Sequence, residues 1–377
     1  MVQCSILNVT KYYKENQKLY DVAIIGAGIN GCATAYFLTQ AKKRVALIDK
    51  EMIAAGGSGA AGAFISPKFS KGGELKELME EAYPFALDFY SKNFPSCLKT
   101  APLLHIARDE KESVKLHFYK ETTTLETLPI PLHVKQILRS NAQHSQSIFL
   151  RQSGVVDAQN VCKALAKDAD FYCLDLKELH FADGYYTIGD IQAKEVVLAY
   201  GAYMPLIDEP YIKLRGIWGH RIDIKTTTRT DINIHHHVSI SKCEDGNMAI
   251  GATHNVHYHP QKNLEPYDID AGRKELLEKA SLTLKLGDVE IIKDYMGLRC
   301  GSNDYIPHIG RIVESQKSDD KEITYYPNLS MINGVGGYGF VLAPLIAKKL
   351  SEMLVYGKPI DSVLALERFY HRMMRRI

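Results

Sequence analysis

Three features of this 377-residue chain predict an α/β (α+β) fold of two interleaved domains. A strand, glycine turn, helix and second strand occupy residues 20–50; a second glycine cluster follows some 300 residues later, at 332–340; and the stretch between them is rich in strand-like segments. The first unit predicts a parallel, Rossmann-like nucleotide-binding sheet, and the intervening strands predict a β-rich second domain that the chain enters twice. Both domains are therefore expected to be discontinuous, with residues 20–85, 150–212 and 297–377 in the nucleotide domain, 86–149 and 213–296 in the substrate domain, and 1–19 as an extension.

Residues 20–25 (YDVAII) are a run rich in β-formers, as a largely buried strand requires. Gly26, Gly28 and Gly31 follow in the G-x-G-x-x-G pattern. The first permits a tight turn, the second lets a pyrophosphate approach the backbone, and the third lets the helix lie against the strand. That helix presents unpaired N–H groups and a positive dipole end to phosphates. Residues 44–48 predict the next strand, and Asp49, 21 positions after Gly28, is placed to accept hydrogen bonds from both ribose hydroxyls while repelling a 2′-phosphate. The stretch 54–63 (AAGGSGAAGA) is too rich in glycine for an ordinary helix, and its backbone is free to approach a ligand. Helical spacing recurs at 73–90 with a kink at Pro84, at 158–166 behind Asp157 as N-cap, and at 273–285. Strands are expected at 192–198, 217–224, 238–242 and 248–253. The first of these runs into Ala199-x-Gly201, a turn that carries backbone amides back to the nucleotide sheet.

The distal cluster, INGVGGYGF at 332–340, leads into an apolar helical stretch that reaches residue 354. A nicotinamide enzyme needs a partner Rossmann half, whereas a flavin enzyme commonly closes its site with a C-terminal helix whose N-terminus faces the isoalloxazine. Reduction places negative charge on the N1–C2=O edge of that ring, where helix-start amides stabilise it. Gly336, Gly337 and Gly339 leave room for the flat ring system, and Pro344 suits the first turn of the helix better than its interior. The pattern favours FAD as cofactor.

At 46% hydrophobic content the chain has the composition of a globular protein with a large core. No apolar run approaches the roughly 20 residues of a membrane span, and the first residues lack the apolar stretch of a secretory signal, so a cytoplasmic location is expected. The seven cysteines are scattered with no C-x-x-C pair, which signals neither zinc nor a disulfide framework. Six of the 14 histidines fall within residues 235–259, with His257 and His259 expected on one strand face. Without acids or cysteines at ligand spacing they predict no metal, and strand packing is their expected role. A net charge of +2 neither demands nor excludes an anionic partner.

The segments GAGINGCATAYFL, LIDK, GGSGAAGAFISP, VVLAYGAY, GLRCGSNDYIPHIGR and NGVGGYGFVLAPLIAKKL together resemble the D-amino-acid oxidase family of FAD-dependent oxidoreductases, in family order over nearly the whole chain. Four local patterns are nearest to the oxidase half of the bifunctional enzymes that make 5-methylaminomethyl-2-thiouridine in tRNA. They are GSGAAGAFISPKFSK, Arg299-Cys300 with Asp304-Tyr305-Ile306-Pro307, AIGATH at 249–254, and a basic, aromatic C-terminus containing Arg368, Phe369, Tyr370 and Arg372. Glycine oxidases and D-amino-acid dehydrogenases usually carry Pro after the arginine and an Asp-Gly-x-Pro continuation, from which this chain departs. The tRNA enzymes normally carry an N-terminal methyltransferase half; only 1–19 precede the glycine motif here, so a stand-alone oxidase with a separate methyltransferase partner is expected.

The resemblance implies hydride transfer from the carbon next to nitrogen, with an imine that water hydrolyses. The implied substrate is an amine bearing a carboxylate, namely the carboxymethylaminomethyl group of a tRNA wobble uridine; the alternative is free glycine, sarcosine or a D-amino acid. It assigns Arg299 to the substrate carboxylate and Tyr338 to substrate or flavin. It also carries over Ser58 and Gly59 as a pyrophosphate- or flavin-side loop, Val156 as an adenine-side backbone contact, and Lys50 and Gly201 as further cofactor contacts. His220 and His308, adjacent to family motifs, are expected to line the substrate pocket.

Overall fold

Two eight-stranded sheets organise residues 18–203, 206–319 and 321–375, those described in this computed structural model. The strands are β1 (Lys18–Ile25), β2 (Val45–Asp49), β3 (Phe64–Ile65), β4 (Leu98–Ile106), β5 (Ser147–Val156), β6 (Asp170–Cys173), β7 (His180–Ala182), β8 (Tyr185–Ile188), β9 (Ile191–Leu198), β10 (Leu214–Thr226), β11 (Asn233–His235), β12 (Ser239–Ile240), β13 (Asn247–Gly251), β14 (Val289–Ser302), β15 (His308–Val313) and β16 (Tyr325–Asn333). The α-helices are α1 (Ile29–Gln40), α2 (Glu74–Asn93), α3 (Glu110–Thr122), α4 (Leu132–Ile137), α5 (Ser140–His144), α6 (Ala158–Leu165), α7 (Ile269–Ser281), α8 (Gly339–Tyr356) and α9 (Glu367–Met374).

The first sheet runs β15-β16-β9-β1-β2-β6, and the β7–β8 hairpin pairs with the start of β9. Strand β1 is parallel to both neighbours, with Ile25 opposite Ile48 on one side and Leu198 on the other. The expected return of the 192–198 strand to the first unit is thus observed. Ile24, Leu47 and Val197 face a core built with α1, α2 and α8, while Ala23, Ile48 and Leu198 face one built with β8 and α9. Each fully buried Val, Leu or Ile among them contributes roughly 1.5–3 kcal/mol, which explains why these strands read as nearly continuous apolar runs.

The second sheet runs β14-β10-β13-β12-β11-β4-β5-β3. Across it Arg221, Gly251, Ser239, His235 and His105 stand in register on five adjacent strands and therefore share one face. Residues 150 and 297, the expected domain boundaries, fall inside β5 and β14 of this sheet.

Several local expectations shift. The helix expected at 273–285 is α7, which starts earlier because the Asp268 carboxylate accepts the Ala271 N–H at 2.9 Å. Asp157 caps α6 as expected, accepting the Asn160 N–H at 3.1 Å. Pro84 lies within an unbroken α2. Pro344 is not in the first turn of α8 but is its sixth residue; the Phe340 carbonyl it leaves without a helical donor is taken by the Tyr90 hydroxyl at 3.0 Å. His254, His257 and His259 lie in a loop rather than on a strand, since β13 ends at Gly251 and the Asn255 side chain accepts the N–H groups of His257 and Tyr258 at 2.9 and 3.0 Å. Of the 1–19 extension only Lys18 and Leu19 are described, and they open β1.

Candidate active site

The two glycine clusters, far apart in sequence, meet at one cavity of about 740 Å³, lined by Gly26, Gly28 and Asn30 from the first and by Gly336, Gly337, Tyr338 and Gly339 from the second. Gly26 adopts φ +111°, and a Cβ there would stand 2.4 Å from the Ala199 carbonyl oxygen. At Gly31 a Cβ would stand 1.9 Å from the Gly26 oxygen, so only glycine lets α1 pack this closely on the turn. Asp49 clamps the same turn: Oδ2 accepts the Ala27 N–H at 2.8 Å and Oδ1 the Glu51 N–H at 3.1 Å. Ser58 Oγ accepts the Ile29 N–H at 2.9 Å, which holds the 54–63 loop against the start of α1. Beside it Lys50 lines the cavity with Nζ 4.4 Å from the Tyr203 ring centre. Asn333 ties the second cluster to the turn after β9, donating from Nδ2 to the Gly201 carbonyl at 2.9 Å.

The residues present fit FAD. The dinucleotide turn supplies helix-start amides and an acid, and a Cβ at Gly336 or Gly337 would meet no protein atom closer than 3.9 Å, leaving space for a flat ring. The buried Asn30 Oδ1 lines this space without a hydrogen-bond partner among the described residues.

Arg299, on β14, reaches across Gly219, where a Cβ would stand 2.9 Å from Nη2. Its Nη2 donates to the Thr253 carbonyl, its Nε is buried without a partner among the described residues, and burial alone pushes its pKa down. No carboxylate pairs with it among the described residues, so the guanidinium enters the cavity uncompensated. Tyr338 stands nearby, its hydroxyl accepting from Lys68 Nζ at 2.7 Å.

Other residues fall elsewhere. Gly31, Gly59 and Val156 do not line the cavity. A Cβ at Gly59 would meet the Ala54 oxygen at 2.0 Å, so this glycine permits the loop's own packing. Val156 is buried in β5 and spends its N–H on the Ala63 carbonyl at 3.0 Å, while Leu174 and Leu176, just after β6, line the cavity beside Asp49. His220 and His308 are fully buried away from the cavity, correcting their expected place. His220 Nε2 pairs with Asp294 Oδ1 at 2.9 Å, and His308 packs on Phe369 with ring centres 4.5 Å apart. The imidazoles that do line it are His105, His235 and His236. No sequence signal marked His105, because its approach depends on strand order, and Lys68 lay within the GSGAAGAFISPKFSK segment without a role assigned to it. Asn30, by contrast, lay within the glycine motif itself.

A dinucleotide turn, a second glycine loop and an uncompensated guanidinium around one cavity define a flavin-dependent oxidoreductase. The chain belongs to the FAD dependent oxidoreductase (DAO) family, whose model matches residues 21–353, and its cofactor is FAD. It is similar to the glycine oxidase of Bacillus subtilis (strain 168), with 24% identity over 378 residues covering 89% of this chain and 93% of that protein. It is also similar to the tRNA 5-methylaminomethyl-2-thiouridine biosynthesis bifunctional protein MnmC of Dichelobacter nodosus (strain VCS1703A), with 24% identity over 371 residues. That match covers 90% of this chain and 55% of the relative, so the chain spans about half of that protein's length. Among solved structures, glycine oxidase from Bacillus cereus ATCC 14579 has a TM-score of 0.74 at 21% identity, covering 92% of this chain and 97% of that one. L-proline dehydrogenase from P. horikoshii has a TM-score of 0.75 at 18% identity, covering 96% and 99%, and both share the fold.

Proposed function

We propose that this oxidoreductase breaks the C–N bond of an amine bearing a carboxylate, removing the N-carboxymethyl group from carboxymethylaminomethyl-uridine at the tRNA wobble position. The observation that carries the reading is the largely buried Arg299 guanidinium, which has no carboxylate partner among the described residues, in the cavity. A fork of N–H donors holds a carboxylate by two hydrogen bonds and thereby fixes the adjacent carbon. Cofactor contacts are assigned to Gly26, Gly28, Asp49, Lys50, Ser58, Gly201, Gly336, Gly337 and Gly339, with Gly31 and Gly59 allowing the close packing behind them and Leu174 taking the adenine-side place expected of Val156. FAD bound there supplies the acceptor for the hydride that leaves the carbon next to nitrogen. Arg299 and Tyr338 orient that carbon, and the dry wall around Arg299 favours the neutral amine that must react. Water then adds to the imine carbon and the C–N bond breaks, releasing glyoxylate and the aminomethyl base.

The first sheet with its helices forms the cofactor domain on this reading, and the second sheet roofs the substrate. Action on tRNA implies a cytoplasmic enzyme and a methyltransferase activity that completes the modification. Among the described residues no helix is long and apolar enough to cross a membrane. A second reading, oxidation of free glycine, sarcosine or a D-amino acid, is favoured by the near full-length match to glycine oxidase. The test is anaerobic mixing of purified holoenzyme with tRNA carrying the carboxymethylaminomethyl group. Flavin bleaching with release of glyoxylate is expected; bleaching by free glycine but not by that tRNA would reverse the assignment.

A further inference from the structure

The cavity wall continues well beyond Arg299. Of the in-register row on the second sheet, Gly251, Ser239, His235 and His105 all line the cavity. His235 and His105 are direct partners in the parallel β11–β4 pair, with ring centres 6.4 Å apart. Phe69 stacks on His105 at 4.1 Å and Phe64 stands edge-on to His235 at 5.0 Å. Neither nitrogen of His105 has a hydrogen-bond partner among the described residues, and His235 has one, Nε2 to Ser66 Oγ at 3.2 Å. Burial pushes His105 down to about 3 and His235 to about 4, so both rings are neutral near neutral pH.

We infer that His105 and His235 form a second subsite that reads an uncharged pyrimidine ring at the far end of the substrate, away from the carboxylate held by Arg299. The inference rests on the proposed carboxylate-bearing amine and names the group attached to it. Reach is the first reason. Gly219, under the guanidinium, is on β10, and β11 lies three strand spacings away, about 14 Å at about 4.8 Å each. A free glycine held at Arg299 cannot touch both ends, whereas an N-carboxymethylaminomethyl arm with a ring extends toward both. Chemistry is the second reason. His235 Nε2 is held by Ser66 and both Nδ1 atoms are buried, so the neutral His105 ring presents Nε2, as donor or acceptor, to the carbonyl or N–H edge of a uracil ring, with His235 fixing the wall behind it. Phe64 and Phe69 line the same cavity and pack on the two imidazoles, giving the ring subsite apolar sides.

The test compares 5-carboxymethylaminomethyluridine with N-ethylglycine, which carries the same reacting carbon, nitrogen and carboxylate without the ring. Wild-type holoenzyme is expected to favour the nucleoside. His105→Ala and His235→Ala are each expected to lower the nucleoside-to-N-ethylglycine ratio of kcat/KM by about tenfold, chiefly through KM. Equal fractional losses on both substrates would overturn the inference. Arg299→Gln is expected to depress both substrates together, so failure of the carboxylate reading appears as a separate result. Should the histidine variants not fold, uridine alone decides the matter on the wild-type enzyme: it is expected to inhibit N-ethylglycine oxidation competitively, and absence of inhibition rejects the ring subsite.

Discussion

The Tyr90 hydroxyl, on α2, donates to the Phe340 carbonyl of α8 at 3.0 Å and so occupies the backbone acceptor that Pro344 leaves without a helical donor. The helix that closes the cavity therefore borrows a side chain from another element for its second turn.

Tyr90→Phe leaves this buried acceptor unpaired and is expected to cost about 1–3 kcal/mol of stability, read from the denaturant midpoint. In a Pro344→Ala background residue 344 regains its N–H and the cost should shrink. An equal cost in both backgrounds would show that the hydroxyl acts in some other way.

Gly31→Ala forces a Cβ against the Gly26 oxygen, 1.9 Å away on the present backbone. The turn must open, with an expected loss of at least about 1–3 kcal/mol and a lower ratio of flavin to protein absorbance in purified material. Wild-type flavin content in this variant would rule out the tight helix–turn contact as a condition for cofactor binding.

Arg299→Gln is expected to reduce kcat/KM for a carboxylate-bearing amine by about 10²-fold or more while FAD remains bound. Arg299→Lys should also fall well short of wild type, because an ammonium lacks the planar two-pronged donor set. Turnover of a matched amine without a carboxylate serves as the control; a similar loss there would detach Arg299 from carboxylate binding.

His308 is fully buried and neither ring nitrogen has a partner among the described residues. Burial first, and the Arg368 charge second, push its pKa from the usual 6.5 to about 3. The folded value is depressed, so the unfolded chain takes up a proton that the fold refuses. The contribution is complete above about pH 6.5 and is lost as pH falls toward about 3, by up to about 1.4 kcal/mol per pH unit. Stability should therefore drop between about pH 6.5 and about pH 4, and His308→Leu should flatten that slope by about one proton. Denaturant curves across this range measure it, and an unchanged slope would mean that His308 is charged in the fold or exposed.

Where contiguous residues dictate local geometry, the sequence was readable. Gly31 packs on the Gly26 carbonyl five positions away, Gly26, Gly28 and Asp49 fall at the fixed spacings of one strand–turn–helix–strand unit, and Asp157 caps α6 through a residue three positions away. The distal glycine cluster was legible for a similar reason, since Gly336 to Gly339 begin the helix that follows them. Pro344 was misplaced because its tolerance depends on Tyr90, and helical periodicity carries no information about a donor on another helix.

Sequence by itself determined that this chain builds a dinucleotide turn, a second glycine loop and an arginine in a family motif, since each is a property of a few consecutive residues. Tertiary structure alone decided that β4 lies beside β11, which sets His105 against His235, leaves His308 and His220 in the interior, and puts Leu174 rather than Val156 at the cavity. The physical reason is that strand order is chosen by burial and hydrogen-bond pairing summed over the whole sheet, so residues far apart in the chain become neighbours without any local pattern to announce it.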